Sequence, residues 1–526
     1  MKFGIDFGTT NTAVSLMRGD TPEQLSFGSA GVPQAYVPSV FAIKKGIQGK
    51  EYHGMEAKTR IGEASEDYSV YQNFKMLLGE SQAIITKHWA DQPLTPEEVT
   101  QKYIRALVTQ IHEEHQLTPE GIVVTVPEVW INQGLHTKRE HLITVFKNLG
   151  INQIRIESEP LAAASYYLHC YQKKKENPFQ GHLLVCDCGG GTMDFCLVHV
   201  QYSDDNQPRM TVLERAGNGR VTDQLGSAGV AFDQTIIDRL FPGLKAQDPV
   251  EFYKCVREFE ENKIIHTHDV SELLKLHRMD SALVEDEHLF RIAKQPVYAN
   301  LLTEVFDKLI APDILQALKQ ISERAISHNI DKNNPHHFRV LMVGGFSSFY
   351  LVQEAIANYF GSEMETDSRF ENIFTLQDRS LAISKGAALI ASELTEIIHT
   401  CPANVGIFAR QGVNGEKKSC KVLSKGTSLE DYQKPTYFSQ AFSVININDA
   451  LPVYIEVIPD QPIEIMVQGQ TMKSILPMCQ PNDRIKVGFS VDGNMVFSLH
   501  VYAESRPHEV KKTSLGHLMA NIPNEN

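Results

Sequence analysis

The stretch Val185-Cys186-Asp187-Cys188-Gly189-Gly190-Gly191-Thr192-Met193-Asp194-Phe195-Cys196-Leu197-Val198 leaves few folds open. An apolar run ends on an aspartate, passes through three glycines and a threonine, and resumes as a second apolar run. The pattern predicts a β-hairpin whose turn is almost bare of side chains. Glycines there tolerate positive φ and let a ligand reach backbone N–H groups. Thr192 adds a hydroxyl, while Asp187 and Asp194 flank the turn with carboxylates. Such a set suits a phosphate chain carrying a divalent metal. Taken alone, it is equally a tight hairpin with no ligand.

A second copy opens the chain: Phe3-Gly4-Ile5-Asp6-Phe7-Gly8-Thr9-Thr10-Asn11-Thr12-Ala13-Val14-Ser15-Leu16. Overlaying Asp6 on Asp187 aligns Gly8 with Gly189, Thr9 with Gly190 and Thr10 with Gly191. A repeat this far apart predicts two similar lobes, each offering a turn to one shared ligand. Neither copy is a Walker loop, because no Gly-Lys-Ser/Thr leads from it into a helix.

The 526 residues suffice for two to four domains, and a net charge of −14 argues against a general binder of nucleic acid or anionic membranes. No stretch reaches the roughly 18 uninterrupted apolar residues of a membrane helix, and the N-terminus enters a strand without a basic and apolar leader. The eight cysteines are scattered, and Cys186 with Cys188 lacks the second close pair of a zinc site. We expect reduced core thiols and a cytoplasmic location.

Along the chain, apolar residues from Pro96 to His115 keep helical spacing. Gly121 to Val126 predicts a buried strand ended by Pro127, and Asn132 is placed to cap a helix running to Leu149, with Gly150 just beyond it. A short strand from Ile154 precedes a helix opened by Pro160, and Lys173-Lys174-Lys175 predicts a solvated face. Helices are expected near Asp233–Leu240 and Pro249–His266, and a long helical region over Pro296 to Asn329. Arg339 to Val343, Gly344-Gly345 and Ser347-Ser348 predict a strand, a turn and a Ser-capped helix start, a third place for an anion. From Ala403 to Ala503 alternation replaces helical periodicity, with Asp492-Gly493-Asn494 as a hairpin turn. The expected organisation is therefore 1–392, a linker over 393–402, a β domain over 403–505 and a polar tail over 506–526.

In family order, Gly4-Ile5-Asp6-Phe7-Gly8-Thr9-Thr10-Asn11, Val124-Thr125-Val126-Pro127, Glu159-Pro160-Leu161-Ala162-Ala163-Ala164 and Asp187 to Asp194 resemble the seventy-kilodalton heat-shock (DnaK-like) chaperones. The resemblance implies an α/β fold: an actin-like, two-lobed ATPase domain followed by an all-β sandwich that binds substrate. It implies ATP/ADP and Mg²⁺ as cofactors, with K⁺ as a further ion. Asp6 and Asp187 would hold Mg²⁺ through waters. Gly8, Thr9, Thr10, Asn11 and Gly189, Gly190, Gly191 and Thr192 would cradle the phosphates. Lys75 falls at the family's catalytic lysine, Glu159 and Asp194 would position the attacking water, and Pro127 would relay the nucleotide state towards the linker. Gly229, Glu260, Lys263, Gly344 and Gly345 match the adenosine side. That side also departs from the pattern: Ile264 and Ser348 stand where arginines usually sandwich adenine, Val230-Ala231 replaces an acidic pair, and Ser380 replaces a late aspartate.

In the β domain, Ile407, Ala409, Val413, Phe438, Val453 and Ile455 would line a groove for an extended apolar peptide; the plainer reading makes them sandwich core. The linker has Glu396-Ile397-Ile398-His399 where the family has leucines and an aspartate, and about twenty residues after Glu504 offer no counterpart of the helical lid. The implied activity is slow ATP hydrolysis by a monomer, coupled to binding of unfolded or extended peptide, with co-chaperones or a nucleotide-exchange factor as partners. Two alternatives stay open: a nucleotide-switched module for one folded partner, and a small-molecule kinase of the same superfamily.

Overall fold

The computed structural model describes the chain except residues 29–32, 47–48, 62–66, 90–92, 133–135, 176, 219–227, 328, 372, 411–414, 458–460, 466–470, 493–494 and 518–526. The chain divides into two compact units. The first comprises Met1–Trp130, Thr137–Arg209 and Glu214–Glu396, and the second Ile131–His136, Met210–Leu213 and Ile397–Asn526. Among the described residues no helix is long and apolar enough to cross a membrane, and all eight cysteines are free.

Two sheets of the first unit repeat one plan. In one, the hairpin Lys2–Phe7 and Asn11–Arg18 is antiparallel, and Gly121–Val126 runs parallel on the outer side of its first strand. In the other, Gly181–Cys188 and Met193–Tyr202 form the hairpin, and Phe338–Val343 takes the parallel place. Parallel strands covered on both faces read as continuous apolar runs, and Gly121–Val126 and Phe338–Val343 are buried at every residue.

Helix Glu159–Lys174 starts where Ser158 accepts a hydrogen bond from the Leu161 N–H, and Pro160 follows inside the first turn. Helix Leu376–Ala391 crosses it so closely that a Cβ on Gly386 would overlap the Ala162 carbonyl. Helix Pro96–His115 has the bounds its periodicity predicts, with Thr95 and Glu98 forming a reciprocal capping box.

Several local expectations are corrected. Asn132 is the last residue of the short helix Glu128–Asn132, and the next helix is His136–Lys147. Pro296 lies in the strand Gln295–Tyr298, so the helical region begins at Ala299. Ser347 and Ser348 belong to a 3₁₀ turn, Gly345–Ser348, and helix Tyr350–Tyr359 follows without a side-chain cap. The three lysines are exposed, as expected of a solvated face, and their ammonium groups also make surface contacts: Lys173 donates to the Asp20 carbonyl, Lys174 to the Ile373 carbonyl, and Lys175 pairs with Glu371. Within the expected linker, Glu396–Ile398 is a strand, and Glu396 pairs with Arg209 at 2.7 Å.

The second unit is built from two antiparallel sheets. Asn404–Arg410 lies between Lys417–Leu423 and Val453–Glu456 in one. In the other, Arg484–Val491 pairs with Val496–Ala503, which pairs with Lys511–His517. The last strand corrects the reading of residues 511–517 as polar tail. Gly493 and Asn494, the centre of the expected hairpin turn, lie outside the described residues.

Candidate functional site

The two Asp-x-Gly turns have the same length. The last paired residues are Phe7 and Thr12 in the first hairpin and Cys188 and Met193 in the second, leaving loops of four residues each. The Gly189 N–H closes its loop on the Thr192 carbonyl at 3.0 Å. The first loop is held from outside, by the Ser39 hydroxyl on the Gly8 carbonyl at 2.8 Å and the Ser39 N–H on the Thr10 carbonyl at 2.8 Å.

The loops face one another. A Cβ on Gly190 would stand 2.6 Å from the Thr10 hydroxyl, and one on Gly191 2.8 Å from the Thr9 hydroxyl. Any side chain there would fill the gap between the loops, which is why bare backbone is needed. The carbonyls of Gly189 and Gly190 accept from the N–H groups of Gly229 and Val230, at 3.3 and 2.7 Å, at the start of helix Gly229–Leu240. Asn11 opens the second strand and is exposed.

Register places the carboxylates. Asp187 is directly opposite Asp194, whereas the corresponding pair in the first hairpin is Asp6 and Ala13. Directly opposed residues share a face of the sheet, so only the second hairpin carries two carboxylates side by side. Lys75 Nζ, on the single helical turn Phe74–Leu77, meets Glu159 Oε1 at 2.6 Å, and both side chains are buried. Burial pushes the Asp6 carboxyl up to about 7, assisted by the charge of Glu159 and opposed by Lys75. Burial raises Asp187 as well, reinforced by Glu159, Asp194 and Asp6. Asp194 is raised by burial and by Glu159, while the Thr192 hydroxyl and the Val129 N–H, at 3.3 Å, donate to it.

The electrostatic strain points to a cation. Asp187 Oδ2 and Asp194 Oδ2 are buried and have no hydrogen-bond partner among the described residues. Leaving such oxygens unpaired is costly. No three acidic, histidine or cysteine side chains among the described residues come close enough to hold an ion directly. Carboxylates with spare oxygens but no closed cage suit a cation that keeps its waters, as Mg²⁺ does. Asp6, Asp187 and Asp194 are the residues that would hold it.

The third Gly-rich element reaches the same place. Gly344 has φ +85°, and a Cβ there would collide with the Asp187 carboxylate and the Cys188 carbonyl. Gly345 is exposed. A cleft extends from Thr9 and Thr10 past Asp233 and Gln234 to Arg257 and Glu260. Lys263 does not face this space freely: its ammonium pairs with Asp233 at 2.5 Å and lies 5.3 Å from the Phe346 ring centre. Ile264 is 63% exposed, and the Ser348 hydroxyl donates to the Gly345 carbonyl. Neither is among the residues lining this cleft.

The six groove residues of the β unit divide differently. Ile407 is opposite Val453, and Val405 opposite Ile455, and all four are buried. Phe438 is buried against Phe442, with rings 5.1 Å apart and edge to face. Ala409 is half-buried, and Val413 lies outside the described residues. Ile407, Val453, Ile455 and Phe438 are thus buried in the ligand-free chain, as the plainer reading of them as sandwich core expects.

Sequence reasoning missed the buried ion pair of Glu128 and Arg215, 2.7 Å long, whose Glu128 adjoins Pro127. Its one visible signal is a charged pair, Glu214-Arg215, inside an otherwise alternating strand. It also missed Trp130, whose ring lies 5.8 Å from the ammonium groups of both Lys75 and Lys138.

Residues 2–516 match the family model described as Hsp70 protein. Two curated relatives, each named chaperone protein HscA homolog, come from Neisseria meningitidis serogroups B and A. Each is 24% identical to this chain, over 95% of it and 76% of the relative.

Proposed function

Because the chain belongs to the Hsp70 family, we propose that it hydrolyses ATP slowly in an actin-like, two-lobed domain and couples the bound nucleotide to binding of extended peptide. One observation carries the hydrolytic part: two four-residue turns, one nearly bare and one carrying hydroxyls, face each other, and the Asp187 and Asp194 carboxylates beside the second have buried oxygens without partners among the described residues. Backbone N–H groups of Thr9, Thr10, Gly190 and Gly191 bind the β- and γ-phosphates, while the Gly189 N–H closes the second loop on the Thr192 carbonyl. Mg²⁺, when bound, neutralises phosphate charge and polarises the bond to be broken. The Lys75 ammonium, held by Glu159, stabilises charge on the transferring phosphoryl group. Asp194, fixed by Thr192 and Val129, orients the attacking water, and Glu159 holds that water from the other side.

Domain bounds near 392 and 403, and peptide binding by the β unit, are part of the same proposal. ATP-dependent release of a fluorescent apolar peptide tests it: release on adding Mg·ATP supports the coupling, and no peptide binding in any nucleotide state removes it. The burial of Ile407, Val453 and Ile455 favours a second reading, a module recognising one folded partner through its outer surface. A single stoichiometric partner in a pull-down, with no response to unfolded protein, would select it.

A further inference from the structure

Lys138 is a buried lysine with no evident role in folding its own helix. It is the third residue of helix His136–Lys147, where the helix dipole disfavours a cation. Its side chain is 4% exposed, and Nζ donates to the Met76 carbonyl at 2.8 Å and pairs with Glu80 Oε1 at 2.5 Å. The Met76 carbonyl belongs to the one-turn helix that carries Lys75. Packing buries all four residues of that turn; at its ends, Asn73 has φ 58° and makes no side-chain cap, and Gly79 has φ +71°. A helix end leaves carbonyls without partners unless something caps them, and here a buried ammonium does so.

The surroundings tie this cap to Lys75. The indole of Trp130 lies 5.8 Å from both the Lys75 and the Lys138 ammonium. Met76 places its sulfur where a Cβ on Gly191 would be 3.1 Å away. Movement of the Phe74–Leu77 turn would therefore displace Lys75 and press Met76 against the glycine loop together. Burial pushes the Lys138 pKa down while Glu80 pulls it back up, so the charge depends on its partner.

We propose that Lys138 is a positioning residue for Lys75, acting through the Met76 carbonyl; the inference rests on the hydrolytic reading above. The test compares Lys75→Met, Lys138→Met, Lys138→Arg and the Lys75→Met/Lys138→Met double variant. Two quantities are read: Mg·ATP turnover, and the acetylation rate of Lys75 in ligand-free protein, resolved by peptide mass. Lys138→Met should lower kcat about tenfold or more, with KM within about twofold, because a misplaced group costs turnover before binding. Lys138→Arg, which keeps charge and donors, should recover to within about threefold of wild type. The double variant should be no slower than Lys75→Met, since a residue acting only through Lys75 adds nothing once Lys75 is gone. Acetylation of Lys75 should rise about fivefold or more in Lys138→Met.

An unchanged kcat in Lys138→Met, equal losses in KM and kcat, or additive losses in the double variant would overturn the inference. If wild type turns over no nucleotide, the hydrolytic reading falls, and the acetylation rate alone decides: an unchanged rate overturns the link. If Lys138→Met does not fold, Glu80→Gln carries both readouts with the same expected directions, and no change in either overturns it.

Discussion

Replacing Lys75 with methionine removes the cation that faces Asp6, Glu159 and Asp187 from the ligand-free site. Deleting one partner of a buried ion pair costs about 3–5 kcal/mol, because the remaining charge is left uncompensated. The cost here should depend on pH, through Asp6. Its folded value is raised from 3.8 to about 7, so its ionisation weakens the fold progressively as pH rises from about 4 to 7. Lys75 lowers that value, so the variant's Asp6 titrates higher still and goes on losing stability above pH 7. Each unit of further rise adds about 1.4 kcal/mol to the gap between wild type and variant at high pH. At pH 5 Asp6 is protonated in both folded proteins and contributes nothing to the gap. Urea unfolding followed by circular dichroism, without nucleotide or Mg²⁺, at pH 5, 7 and 8.5 measures it. The Lys75→Met deficit should grow with pH. A deficit that is constant or shrinks from pH 5 to 8.5 would refute the electrostatic account of the carboxylate cluster.

Three further outcomes are expected. Gly190→Ala places a methyl 2.6 Å from the Thr10 hydroxyl, and calorimetry should show nucleotide affinity reduced about tenfold or more, at little cost in melting temperature. Gly386→Ala drives a methyl into the Ala162 carbonyl at a helix crossing, so it should lower stability by about 1–3 kcal/mol in chemical unfolding. Because Asp6 and Asp187 are raised in the ligand-free protein, Mg²⁺ binding should release protons and strengthen from pH 5.5 to 8, as titration in buffers of differing ionisation heat will show.

The two Asp-x-Gly turns were legible because their signals are local. Glycine content, apolar runs and the flanking aspartates all lie within fourteen consecutive residues, and the register follows from the alternation. Helix Pro96–His115 was legible for the same reason, with its capping box in sequence as Thr95 and Glu98. What could not be read depends on tertiary partners. Strand Lys511–His517 is a polar strand beside Val496–Ala503, recognised by backbone pairing that its side chains do not advertise. Lys138 resembles any helical lysine until the fold brings Met76 and Glu80 to its ammonium. Alternation shows that Ile407, Val453 and Ile455 share a face with their neighbours, but whether that face opens to a peptide or closes on its own unit is decided by packing.

The central claim is that two facing turns and their carboxylates hold a nucleotide for attack by water. Single-turnover release of γ-phosphate from Mg·ATP, by wild type, Thr192→Ala and Asp194→Asn, tests it most directly. The account predicts phosphate released to water by wild type and a rate reduced about tenfold or more in each variant, with ATP still bound. Equal rates in all three proteins would contradict it.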